Sequence, residues 1–281
     1  MDMLCDLHTH SIFSDGTSTP EELIDLAVDA GLGAIALTDH NTIDGLEDFA
    51  SAASGKSIDI ALGCEFSVDY GSRELHLIGM FILEKHFSQI SDLMADMRAR
   101  KQEQNIALVE ALNRAGISVD YNEILGKTPD GNVNRAHIAY AMMQRGYVSS
   151  IAEAFETYLS PSAGYYKAPR RISVWEMLDV IRAIGAVSVL AHPFLKLSKS
   201  ELLAFLPKAK DVGLNAIECA YSLNNELITS VSEQIAEDFG LLKSGGSDFH
   251  GLHKPDISIG IGKGNLQVPY EWYLKLKEKA F

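Results

Sequence analysis

The sequence predicts an α/β fold: a barrel of seven strand–helix repeats with a small helical subdomain set into it. Short apolar runs recur seven times along 281 residues, and helical stretches separate most of them. Six of the nine histidines (His8, His10, His40, His76, His192, His250) fall in or just beyond those runs, whereas His86, His137 and His253 do not share the pattern clearly. One connection, between the fourth and fifth runs, is about a hundred residues long, far beyond an ordinary strand–helix link. Strands alternating with helices build a parallel sheet, and in closed barrels of this kind chemistry gathers at the C-terminal strand ends.

The first run, Cys5 to His10, ends on His8-Thr9-His10. Strand side chains alternate, so Cys5 and Leu7 are expected on the packed side, with His8 and His10 projecting together. Asp15 follows past a polar turn that Gly16 closes. Two imidazoles and a carboxylate within eight positions are ligand chemistry for a borderline cation. Standing alone, they are equally a pair of edge-strand histidines meeting solvent. Thr19-Pro20-Glu21-Glu22 starts a helix, with a hydroxyl N-cap, proline in the first turn and acids at the positive dipole end. Gly31 stops it. The apolar run 33–38 has the composition of a strand buried on both faces and delivers Asp39 and His40. A helix over Leu46 to Ala53 follows.

Ile58 to Val68 is the third strand and carries Gly63-Cys64-Glu65; Arg73 to Met80 is the fourth, with His76 in its middle. Ala186 to Ala191 ends at His192-Pro193, Ala216 to Tyr221 is the sixth strand, and Leu241 to Ser244 runs into Gly245-Gly246-Ser247-Asp248-Phe249-His250. Helices are expected over Ser173 to Ile184, with a Ser173/Glu176 capping box, Ser198 to Val212, and Asn224 to Phe239. Within the long connection, Phe87 to Ala115 is helical, although the polar stretch Arg98 to Asn105 marks a solvated turn or a break. Shorter helices cover Asn134 to Gln144 and Ile151 to Tyr158. The expected division is a barrel of residues 1–100 and 170–281 with a helical cap, 101–169, over its mouth.

Composition excludes several classes. At 47% apolar residues the chain can bury a large core. Its 38 acidic against 24 basic residues give a net charge of −14, which disfavours long nucleic-acid tracks. A small anionic substrate remains compatible if divalent ions sit at its site. The three cysteines lack C-x-x-C spacing and are expected as buried thiols in a reducing compartment. With no signal-like N-terminus and no apolar run of about 18 residues, the expected location is cytoplasmic, with no membrane partner.

His8-Thr9-His10, Asp15-Gly16, Thr38-Asp39-His40, Gly63 with Glu65, His76, Ala191-His192-Pro193 and Gly246-Ser247-Asp248-Phe249-His250 together resemble the polymerase-and-histidinol-phosphatase (PHP) family of metal-dependent phosphoesterases. The resemblance runs through the whole barrel and is greatest to the branch with an inserted helical cap. It implies a distorted (β/α)7, TIM-like barrel holding three divalent ions, of manganese, iron or zinc. Carried over position by position, His8, His10, Glu65 and Asp248 would hold the first ion. Glu65 would bridge to a second, bound by His76 and His192, and Asp15, His40 and His250 would hold the third. Glu65, His192 and Asp248 would serve catalysis directly, by metal-activated hydroxide attacking phosphorus. Asp39 would orient a neighbouring histidine or cap its strand end.

In the insertion, Asn134-Arg135-Ala136-His137 is similar to the family's Arg-Pro-His segment, with Ala136 where proline is usual. Arg135 would then clamp a substrate phosphate. The stretch from Ala154-Phe155 to Tyr165-Tyr166-Lys167-Ala168-Pro169 also resembles the family's cap, although Lys167 follows the tyrosine pair where the family's lysine precedes it. Lys167 is the second candidate substrate contact. The implied activity is hydrolysis of a phosphomonoester of a small nucleotide, such as a nucleoside 3′,5′-bisphosphate or AMP. Phosphodiester cleavage of cyclic phosphates or short RNA ends is the alternative; histidinol phosphate fits the inserted cap less well. A metal-holding regulatory module without turnover is the rival from another class.

Overall fold

The structure, a computed structural model, describes residues 3–128, 133–167 and 171–280. Seven strands form one sheet in chain order: β1 (Cys5–Thr9), β2 (Ala34–Leu37), β3 (Asp59–Tyr70), β4 (Arg73–Met80), β5 (Val187–Leu190), β6 (Ala216–Tyr221) and β7 (Leu242–Gly246). Beyond β7, Asp248 N donates to His8 O at 2.8 Å and His10 N to Phe249 O at 3.0 Å, so the sheet returns to β1 and the barrel nearly closes. Gly246 makes that return possible, because a Cβ there would lie 2.4 Å from His8 Cβ. Phe249, flanked by two of the expected ligands, is buried as a core residue.

The expectation of a wholly parallel sheet is corrected at one strand: β4 runs antiparallel to both β3 and β5. Only Gly71 and Ser72 separate β3 from β4, and Gly71 takes a left-handed φ of 62°. A two-residue loop closes a hairpin, whereas a parallel return requires a crossover of a dozen or more residues. The remaining pairs are parallel.

Helices α1 (Pro20–Asp29) and α2 (Leu46–Ala53) follow β1 and β2. The long connection holds α3 (Phe87–Arg114), α4 (Tyr121–Gly126), α5 (Arg135–Gln144) and α6 (Ile151–Ala154). Then come α7 (Val174–Ala183), α8 (Lys199–Val212), α9 (Glu226–Phe239) and α10 (Tyr270–Lys279). Reciprocal side-chain caps start α1 (Thr19/Glu22), α7 (Ser173/Glu176) and α8 (Ser198/Glu201), satisfying N–H groups that a first helical turn leaves open. The polar stretch Arg98 to Asn105 continues α3 without a break. The expected helix over Ile151 to Tyr158 changes winding midway, from α6 to a π-turn over Phe155–Leu159.

The chain divides into two compact units, Met1–Ser91 with Ile172–Phe281, and Asp92–Arg171. In the first, Cys5 and Leu7 join an apolar cluster with alternate residues of the other strands, such as Ala34 and Ala36, or Val187 and Val189. Helix α10, unanticipated from the sequence, adds Tyr273 and Leu276 to that cluster, and Ala280 just past its end joins them. It is tied beside β1 by Cys5 N→Val268 O and Tyr270 N→Met3 O, both 2.9 Å. The second unit has its own core, including Leu108, Leu112, Ile138, Met142 and Leu159. All three cysteines are free and buried, and burial pushes the thiols of Cys5 and Cys219 up. Among the described residues, no helix is long and apolar enough to cross a membrane.

Candidate metal centre

The site grows out of the strand period. Ala61, Gly63 and Glu65 are alternate residues of β3, and His76, Ile78 and Met80 are alternate residues of β4, so residues on the same side as the apolar cluster become polar toward one end. Glu65, fully buried, stands at the centre. Its Oε1 meets His76 Nδ1 at 2.8 Å and His192 Nε2 at 3.0 Å. Its Oε2 lies 3.0 Å from His40 Nδ1, 3.2 Å from His8 Nε2 and 3.3 Å from His10 Nε2. One carboxylate thus faces five imidazoles from four chain segments.

A second carboxylate, Asp248 Oδ1, lies 3.3 Å from His10 Nε2, 3.4 Å from His250 Nδ1 and 3.8 Å from His8 Nε2. A third, Asp15, is half exposed and reaches His250 Nε2 at 3.1 Å, His40 Nε2 at 3.8 Å and His10 Nδ1 at 3.9 Å. All nine expected ligands therefore converge. His10 and His40 each face donors from more than one expected subset: possible ligand groups are His8–His10–Glu65, His40–Glu65–His76 and His10–Asp15–His40–His250. Two contributors, His192 (φ 28°) and Asp248 (φ 56°), hold left-handed backbone that L-residues seldom adopt, a strain typical of functional sites.

Burial opposes ionisation of Glu65, yet the charges of His8 and His40 outweigh it and hold the carboxyl well below its ordinary range. Asp248 and Asp15 are also lowered: burial works against them, and the imidazoles facing them, His10 and His8 at Asp248 and His250 and His40 at Asp15, outweigh it. Burial would neutralise the imidazoles, but Glu65 raises His8 and His40, and hydrogen bonds to Glu65 and Glu74 lift His76 to about 9. Carboxylates held toward the charged form thus face His8, His40 and His76, whose charged forms they favour in turn. His8 Nε2, both ring nitrogens of His10, His40 Nδ1 and Glu65 Oε2 are buried without a hydrogen-bond partner. Such orphaned donors and acceptors are expensive in a core. Divalent ions of the borderline class, which take imidazole and carboxylate together, supply the missing partner. The residues fit the group.

Several neighbours refine or correct the sequence reading. Among the described residues no histidine bonds to Asp39: its carboxylate accepts from Ser11 N (2.7 Å), Ser11 Oγ (2.5 Å) and Ser14 Oγ (2.5 Å). It fastens the loop that carries Asp15, which is the capping alternative. Sequence reasoning missed Glu218 in β6, which accepts from His8 Nδ1, and Tyr221 and Lys254, both donating to Asp248 Oδ2 at 2.9 and 2.7 Å. It also missed His253, whose Nδ1 donates to Asp15 O at 2.8 Å. A carboxylate isolated in an otherwise apolar strand was the one available signal, at Glu218.

In the second unit, Arg135 opens α5. Its guanidinium lies 4.2 Å from the Tyr166 ring centroid and 5.4 Å from that of Phe155, and donates to Leu159 O at 2.9 Å. His137 Nδ1 accepts from Asn134 N at 3.3 Å and completes the α5 cap. Lys167 is exposed; Ala168 and Pro169 lie outside the described residues.

The chain resembles known proteins over most of its length. A family model described as PHP domain matches residues 6–179. A 5′-3′ exoribonuclease of Haemophilus influenzae is 29% identical over 250 residues, 87% of this chain and 89% of that protein. A 3′,5′-nucleoside bisphosphate phosphatase of Chromobacterium violaceum is 28% identical over 260 residues, 91% of this chain and 90% of that protein. Among solved structures, an amidohydrolase from Chromobacterium violaceum with bound sulfate and no metal superposes with a TM-score of 0.74 at 26% identity, covering 99% of this chain and 97% of that one.

Proposed function

The chain belongs to the PHP domain family and is a metal-dependent phosphoesterase, and from that premise we propose that it hydrolyses a phosphomonoester of a small nucleotide, a nucleoside 3′,5′-bisphosphate or an AMP-like compound. The observation that carries this reading is the ring of imidazoles around Glu65, with buried ring nitrogens that lack partners. In this proposal three divalent ions, of manganese, iron or zinc, are held by the nine donors. His8, His10, Glu65 and Asp248 serve one ion, Glu65, His76 and His192 a second, and Asp15, His40 and His250 the third. Bound there, such ions acidify water from a pKa of about 15.7 toward 7 and neutralise phosphoryl oxygens.

The chain's own residues prepare that chemistry. Glu65 offers one oxygen to His76 and His192 and the other to His8, His10 and His40, so it spans two subsites. Asp248 is held at Oδ2 by Tyr221 and Lys254, which leaves Oδ1 to face the histidines. Asp15, at 56% exposure, is the proposed ligand most open to solvent. Arg135 and Lys167 are proposed phosphate contacts; Arg135→Ala should lower kcat/KM about 10–100-fold, the worth of one charge-assisted hydrogen bond.

A second reading, phosphodiester cleavage at the 5′ end of RNA, is favoured by the resemblance to a protein named an exoribonuclease. The net charge of −14 opposes long RNA and leaves short ends as the better substrate for it. One assay separates the readings: phosphate or nucleotide release from adenosine 3′,5′-bisphosphate, AMP, a cyclic phosphate and a 5′-phosphorylated short RNA, each with added manganese. Preference for the bisphosphate supports the proposal, and mononucleotide release from RNA alone overturns it. A regulatory module without turnover would leave every substrate intact while binding metal.

A further inference from the structure

Glu218 lies in β6 between Ala216 and Ala220, alternate residues that join the apolar cluster, and is 1% exposed. A carboxylate in such a place must have its lone pairs satisfied. Its two oxygens serve two separate parts of the site. Oε1 accepts from His8 Nδ1 at 2.9 Å, and Oε2 accepts from the backbone N–H of His192 at 2.6 Å. We propose that Glu218 is a positioning residue that sets His8 and His192 as a pair, through the ring of one and the backbone of the other. The inference rests on the metal-cluster reading of the site.

The geometry carries it in three ways. A ring that donates through Nδ1 to a carboxylate presents Nε2 as its ligating atom. Nε2 of His8 is the buried, unpartnered nitrogen that lies 3.2 Å from Glu65 Oε2. His192 begins its turn at φ 28° and ψ 57°, and the N–H of that strained residue points at Glu218. The rings of His8 and His192 lie 5.7 Å apart at 22°, nearly parallel, as two groups fixed from one anchor would be. Both partners are N–H donors, so the anchor must accept twice. Glutamine keeps the volume of Glu218 but has one acceptor and one NH2; whichever way it turns, an N–H faces an N–H.

The test compares zinc binding by the full chain and its Glu218→Gln variant, with melting curves in chelator and histidine 15N spectra of the zinc-loaded proteins. Zinc is the probe because it is diamagnetic. The expected result is a variant that melts cooperatively without metal and binds zinc about 10–100-fold more weakly, with the His8 signal displaced. Equal affinity and an unchanged His8 signal in a folded variant would overturn the inference alone. Should the variant fail to fold, the unaltered protein decides: a His8 proton on Nδ1 supports the assignment, and one on Nε2 overturns it. No zinc uptake by the unaltered chain would overturn the cluster reading and this inference with it.

Discussion

Asp39 shows how much one side chain beside the ligands can organise. It accepts three hydrogen bonds from Ser11 and Ser14, and the loop they occupy ends on Asp15. Asp39→Ala should leave those donors unsatisfied and destabilise the protein by about 1–3 kcal/mol. Divalent-ion affinity should fall as well, because Asp15 loses its fastening; urea unfolding and metal titration check the two effects separately. The convergence of these residues was legible in part from H-x-H and the polar strand ends, which follow the period of a strand, while their division into ligand sets came from the family resemblance alone. Glu218 was not, since its partner His8 is 210 positions away and a single polar residue in an apolar strand has no spacing to read. Arg135 was legible as a motif member, but its place against Tyr166 and Phe155 depends on packing that spacing does not encode.

Among elements, the close approach of β7 to β1 leaves no room for a side chain. Gly246→Ala would put a methyl group 2.4 Å from His8 Cβ and 2.5 Å from His8 N, where no flexible side chain can yield. It should destabilise the protein by about 1–3 kcal/mol and displace His8, seen as a lower melting temperature together with weakened metal binding. By contrast Thr19→Ala removes only the cap of α1, at about 1 kcal/mol, and should leave metal binding intact. Helix starts were readable at Thr19, whose hydroxyl precedes Pro20 and two acids, and at the Ser173/Glu176 pair. The direction of β4 was written in the two residues between Tyr70 and Arg73, a hairpin signal that the regular strand–helix rhythm obscured. Helix α10 starts at Pro269 without a side-chain cap, so that signal was lacking.

For the molecule as a whole, protonation, metal binding and stability are linked. His76 is raised to about 9, and His8 and His40 are raised too, so the metal-free folded chain holds protons that an unfolded one releases near its ordinary pKa of about 6.5. The contribution of His76 is therefore full below about pH 6.5 and lost as pH rises through about 9, and those of His8 and His40 are likewise lost as pH rises through their raised values. The lowered carboxylates Glu65, Asp15 and Asp248 act oppositely: their contribution is present above the ordinary carboxylate range and lost as pH falls through their folded values. Melting in chelator should accordingly decline between pH 7 and 9.5, whereas metal-saturated protein should hold steady there. Metal uptake should release protons and tighten as pH rises, which calorimetry in buffers of different ionisation enthalpy would measure. The return of the sheet onto its first strand also has a temporal side. Asp6 and Ser247, joined at 2.8 Å, are 241 positions apart. At about 5–20 residues per second, a ribosome takes roughly 12–48 s to deliver the later partner. Throughout that interval the nascent polypeptide lacks Asp248 and His250, so its donor set stays incomplete however many of the earlier histidines have emerged. Discrimination among ions must wait for the finished barrel.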